Sequence, residues 1–164
     1  MDQFRPSKLW KQVPPDRRLE AARAFWEDEH SGDQQAEALA AIAQQMKFRP
    51  KSAAALPVEK RARYLVGVPA VSDLLASRLL VAYHLASHRP MLGRFLDALG
   101  ITHEHGLIAD EHVARPDKAR LAGAAQQLRA EFPEADVDLY FATLVAQDPE
   151  VWGDLAEFVS AGSH

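Results

Sequence analysis

Seven histidines stand in a chain of 164 residues that contains no cysteine, and five of them, His84, His88, His103, His105 and His112, fall where imidazoles could share an ion. If the stretch around residues 70–88 is helical, His84 and His88 lie one turn apart, the i, i+4 spacing that lets two rings meet one metal. On a helical wheel Asp73, Ser77 and His84 form one lane with His88 beside it, a polar stripe on an otherwise apolar helix. Downstream come His103, Glu104, His105, Asp110, Glu111 and His112. A Zn or Fe site could therefore take two ligands from the helix and one or two from that segment, since neutral imidazole with carboxylate suits borderline metals. Against this, His-Glu-His is not the His-Glu-x-x-His of zinc proteases, and a His-x-x-x-His pair arises readily by chance among seven histidines. The plainer alternative has His84 hydrogen-bonded in the core, His88 at the negative end of its helix, the other histidines solvated and no cofactor.

Other chemistries find less support. Ala62 to Pro69 reads as a short helix and a glycine turn before a second helix, which resembles a helix-turn-helix DNA-binding module. A recognition helix must offer polar groups to base edges, whereas this one offers Val71, Leu74, Leu75 and Leu79, an acid at Asp73 and one helpful cation, Arg78. Nucleic acid is therefore not the expected partner. Neither a GxxxxGK[ST] nor a GxGxxG loop is present, and no G-x-S-x-G elbow. The acid pairs Asp110-Glu111 and Asp136 with Asp138 are as well explained by helix caps and solvated faces as by acid–base work. With no cysteine, disulfides, thiolate ligands and thiol nucleophiles are excluded.

The absence of catalytic signatures leaves a non-enzymatic protein-interaction module as the leading expectation, with a protein partner or self-association as its two forms. Trp10 bears on this. It lies in a basic segment, Phe4 to Val13, too short for a core of its own, so it must dock either within the chain or onto a partner. The cost of leaving large apolar surface in water favours docking within the chain.

The elements that must position these residues are helices. Alanine is abundant, β-branched runs are scarce, and no segment alternates as a strand. Asparagine is absent, so caps and turns fall to Asp, Ser, Gly and Pro. Pro14-Pro15-Asp16 opens a helix to about His30, and a second runs from Asp33 to about Lys47, where Phe48-Arg49-Pro50 breaks it. Residues 51–56 read as a connector, Pro57 opens a short helix, and the stretch of about 70–88 is apolar nearly all round and reads as the central helix. Met91 to Leu99, Pro116 to Phe132, a segment begun by Asp136 and a last one from Asp148 complete the set. The expected fold is all-α: a compact single-domain bundle of about seven to eight helices over residues 1–164, with an N-terminal arm at 1–13 and an irregular loop at 101–115. A chain of this size with 48% hydrophobic residues can form one core, removing roughly 70% of its unfolded surface from water.

Phe4-Arg5-Pro6 recurs as Phe48-Arg49-Pro50, and Pro14-Pro15-Asp16-Arg17-Arg18 resembles Pro57-Val58-Glu59-Lys60-Arg61, at offsets of 44 and 43 residues. That spacing falls in the range of stacked helical units, but such arrays need three or more copies. The net charge is −4, with 12 basic and 9 acidic side chains in residues 1–63 and 7 and 14 thereafter. From Ala130 onward there is no Lys or Arg, so that surface repels nucleic acid and anionic membrane. The longest apolar stretch, Leu65 to Ala86, is interrupted by Pro69, Asp73, Arg78 and His84 and belongs to a buried helix, not to a membrane span. Charges and a proline at the start argue against a secretion signal and for a cytoplasmic protein, and the Ala-rich, Arg-over-Lys composition fits a GC-rich bacterial genome.

Overall fold

The computed structural model describes residues 4–28, 31–109 and 113–159, and it is all-α, with ten α-helices, a C-terminal 3-10 helix and one two-stranded hairpin among those residues. The helices are α1 (Pro6–Gln12), α2 (Pro15–Glu27), α3 (Gly32–Met46), α4 (Pro50–Ala54), α5 (Val58–Val66), α6 (Asp73–Ser87), α7 (Arg89–Leu99), α8 (Lys118–Glu131), α9 (Glu134–Gln147) and α10 (Pro149–Trp152). The hairpin strands are β1 (His103–Glu104) and β2 (Leu107–Ile108), and the 3-10 helix is Gly153–Phe158. No helix among the described residues is long and apolar enough to cross a membrane.

Proline does most of the punctuation. It stands in the first turn of α1, α2, α4, α7 and α10 and at the N-cap of α2, α5 and α9, where its missing N–H leaves nothing unsatisfied and its fixed φ suits helix entry. Asp117 and Asp148 cap α8 and α10 by accepting from Arg120 N and Val151 N. This is why three helices exceed the expectation. The N-terminal arm contains a helix of its own (α1), residues 51–54 of the expected connector belong to α4, and the last expected helix divides into α10 and the 3-10 turn.

The chain divides into two compact units, Asp2–Ala86 and Ser87–His164. In the first, α2 packs on α5, and α3 on α4 and α5. Arg23 joins α2 to α5 by donating to both Glu59 carboxylate oxygens at 2.6 and 2.7 Å. In the second, α8 packs on α7 and α9, and α9 on α10 and the 3-10 helix. Its core is aromatic: Phe95 meets Phe141, Tyr140 and Trp152 at centroid distances of 5.2, 5.6 and 6.0 Å. Burial raises the Tyr140 hydroxyl pKa far above the usual phenol value. Arg129 of α8 reaches Asp138 of α9 at 2.5 Å and the Phe158 carbonyl, fastening the 3-10 turn to both helices.

Two local expectations are corrected. Leu74, expected on the inward side of an all-apolar helix, is 70% exposed in the first turn of α6, whereas Leu75, Leu79 and Leu80 are buried. Residues 101–115, expected to be irregular, contain the hairpin, with His103 paired to Ile108 and Glu104 to Leu107. His105 and Gly106 have φ of 50° and 93°, the doubly positive signature of the tight turn whose twist matches antiparallel strands. With two residues per strand, no alternation was there to be read.

Candidate functional site

The described candidate ligands stand on α6, at the start of α7 and in the hairpin. His84 is buried in α6 beside Tyr83, with ring centroids 5.1 Å apart. His88 does not continue that helix: α6 ends at Ser87, and His88 is the N-cap of α7 with φ −134°, so the i, i+4 geometry on one helix is not realised. Its Nε2 lies 3.8 Å from an Asp136 carboxylate oxygen. His103 has both ring nitrogens engaged. The Gly106 N–H donates to Nδ1 at 3.0 Å, which places the proton on Nε2, 2.8 Å from the Asp97 carboxylate. A ring fixed in this way has no lone pair to offer a metal. His105 is exposed at the hairpin tip, and His112, with Asp110 and Glu111, lies outside the described residues. Among the described residues no three His, Asp or Glu side chains are grouped as a metal site.

His103 instead organises the hairpin. Arg89 donates to the His105 carbonyl at 2.8 Å, and a Cβ added at Gly106 would stand 2.8 Å from Leu92 Cβ. Only glycine lets the turn lie this close to α7. At Gly93 a Cβ would meet His103 Cε1 at 3.2 Å, so the missing side chain makes room for the imidazole.

Where the helix-turn-helix resemblance was expected, α5 runs to Val66 and α6 begins only at Asp73. Asp73 is turned back onto α1. It accepts from Ser7 N at 3.1 Å and from Arg5 Nη2 at 3.3 Å, and the Ser7 hydroxyl and N–H together with the Arg5 guanidinium hold its carboxyl below the usual range. Arg78 is exposed one turn beyond Leu74.

That junction borders a cleft of about 480 Å³ in the unit Asp2–Ala86. One wall is basic, from Arg5, Lys11 and Arg18. The other is the chain between α5 and α6, with Val66, Val68, Pro69 and Val71 beside Trp10. Trp10 is 6% exposed, and its neighbours Leu9 and Val13 are buried too, so α1 docks within its own unit as expected. Arg18 is positioned by donating from Nε to the Val13 carbonyl at 2.7 Å and from Nη2 to the Lys11 carbonyl at 3.4 Å. Among the described residues neither Lys11 nor Arg18 has a carboxylate partner within ion-pair distance. Among the described residues no acid lines the cleft.

Sequence reasoning singled out Trp10 and the basic bias of the N-terminal stretch but not the cleft. Its two walls are about fifty residues apart in the chain, and only the packing of α1 against the α5–α6 connection brings them together. The chain matches no family model, no curated protein and no solved structure.

Proposed function

We propose that this chain is a non-enzymatic protein-interaction module, and that the cleft beside α1 docks a partner segment carrying a carboxylate next to an apolar side chain. The observation that carries this reading is the cleft's lining among the described residues: three cations, two of them without an acidic partner, share it with apolar side chains and with no acid. An unpaired cation on a concave, partly apolar surface loses hydration when the concavity fills, and it recovers that loss only if the occupant brings a negative charge.

Magnitudes place the interaction in the weak, exchangeable class. Burying one leucine-sized side chain contributes about 1.5–3 kcal/mol. Each half-exposed ion pair adds about 0.2–1 kcal/mol, so charge sets selectivity and encounter rate more than strength. Fluorescence anisotropy with labelled synthetic peptides tests the reading. Peptides combining Glu or Asp with Leu should bind, and Lys11→Glu should weaken them roughly tenfold, as should raising salt from about 50 to 500 mM. Lysine-for-glutamate versions should not bind. No binding by any acidic, leucine-bearing peptide up to about 1 mM would end the proposal, since Kd values weaker than that correspond to less than about 4 kcal/mol.

A further inference from the structure

The unit Ser87–His164 displays the chemistry that this cleft calls for. In the hairpin, Glu104 stands directly opposite Leu107. Residues opposed in an antiparallel pair put their side chains on one face, with Cβ atoms roughly 5 Å apart. Both are exposed, Leu107 to 49%, so the hairpin holds out a leucine beside a carboxylate. The presentation is rigid: the turn has two positive φ values, its carbonyl is held by Arg89, its first strand is tied to Asp97 through His103, and Gly106 sits against Leu92. Little conformational freedom is left to lose on docking.

Charge agrees with shape. The unit that contains the cleft, Asp2–Ala86, has 13 basic and 10 acidic side chains, whereas Ser87–His164 has 6 and 13. Two copies brought together basic unit to acidic unit attract, while like units repel.

We infer that the protein self-associates, the hairpin of one copy placing Leu107 and Glu104 in the basic cleft of a second copy, against the Val68–Val71 wall and beside Lys11 and Arg18. This rests on the cleft being a docking site, as proposed above, and names its occupant. The donor and acceptor surfaces differ, so the contact is heterologous. A heterologous contact either closes into a ring or continues as an open chain of copies.

The test is sedimentation velocity of the full chain at about 50 mM salt over a hundredfold concentration range. Wild type should associate reversibly and dissociate as salt rises. Lys11→Glu, whose side chain has no other partner among the described residues, and Leu107→Asp, at an exposed position, should each keep the fold, checked by circular dichroism, and weaken association at least tenfold. Mixing the two variants should restore association, because one retains an intact hairpin and the other an intact cleft. A concentration-independent monomer, or association that ignores both substitutions, or variants that fail to complement on mixing, would overturn the inference. The acidic leucine peptides separate the two proposals. If they bind in a Lys11-dependent way to a protein that stays monomeric, the cleft reading stands and the second copy is the wrong occupant; if they do not bind either, both are lost.

Discussion

Asp73 couples the first turn of α6 to α1, and its chemistry makes that coupling acid-sensitive. Its folded carboxyl pKa is depressed by the Ser7 hydroxyl and backbone N–H and by Arg5. The stability this contributes is present above the unfolded value near 4 and disappears as pH falls through the folded value. In urea titrations at pH 6, Asp73→Asn should have the lower midpoint; as the pH is taken below about 4 the gap to wild type should close, and a gap that stays constant would count against the assignment. Two glycines make a matched pair of opposite sign. At Gly106, with φ 93° and Leu92 in the way, alanine should destabilise by about 1–3 kcal/mol in thermal unfolding, the range for strained backbone. At Gly123, inside α8 with nothing within 4 Å of an added Cβ, alanine should stabilise by about 0.5–1 kcal/mol. His103 shows how far sequence reached at this scale. Its type and position suggested a ligand, but its observed partners are the Gly106 N–H of the hairpin turn and the Asp97 carboxylate of α7, which the fold brings to it.

Among the elements, helix starts were the legible part. Prolines and acidic caps mark them locally, and α2, α5, α8 and α9 lie close to where periodicity put them. The short elements were not legible, because four to seven residues carry too little period to distinguish a helix from a connector. The similarity between residues 4–18 and 48–61 has a structural counterpart. Arg5 and Arg49 are both N-caps in extended conformation ahead of a proline, with φ −70° and −71°. Arg61 Nε donates to the Leu56 carbonyl at 2.8 Å, as Arg18 Nε does to Val13 at 2.7 Å. In each case the accepting carbonyl belongs to the residue before a proline, and the guanidinium bridges the junction of two helices. Truncating Phe95, which touches Phe141, Tyr140 and Trp152, removes the centre of the aromatic core of the unit Ser87–His164. Phe95→Ala should cost about 3–5 kcal/mol in chemical denaturation, the range for fully buried aromatics.

For the molecule as a whole, composition set the fold class correctly, since an Ala-rich chain with few β-branched runs has little alternative to helices. It could not show the cleft, whose cations at positions 5, 11 and 18 meet an apolar wall at 66–71 only through packing, nor that the hairpin in the other unit bears a complementary pair. The opposite charge bias of the two units makes one further prediction. Crosslinking with a carbodiimide, which joins carboxylates to amines, should give dimers containing a Lys11–Glu104 link at low salt, and mass spectrometry should find that link reduced severalfold at about 500 mM salt, where the Debye length falls to a few ångströms.

The Arg18 latch decides how the N-terminal helix responds when the cleft fills. The guanidinium spends Nε and Nη2 on carbonyls of its own chain, and Nη1 donates to nothing among the described residues. An arriving carboxylate can therefore be received at Nη1 without releasing either carbonyl. Occupancy then acts as a splint and not as a lever. Amide exchange across the α1–α2 corner should slow in the bound state, and the corner should keep its angle.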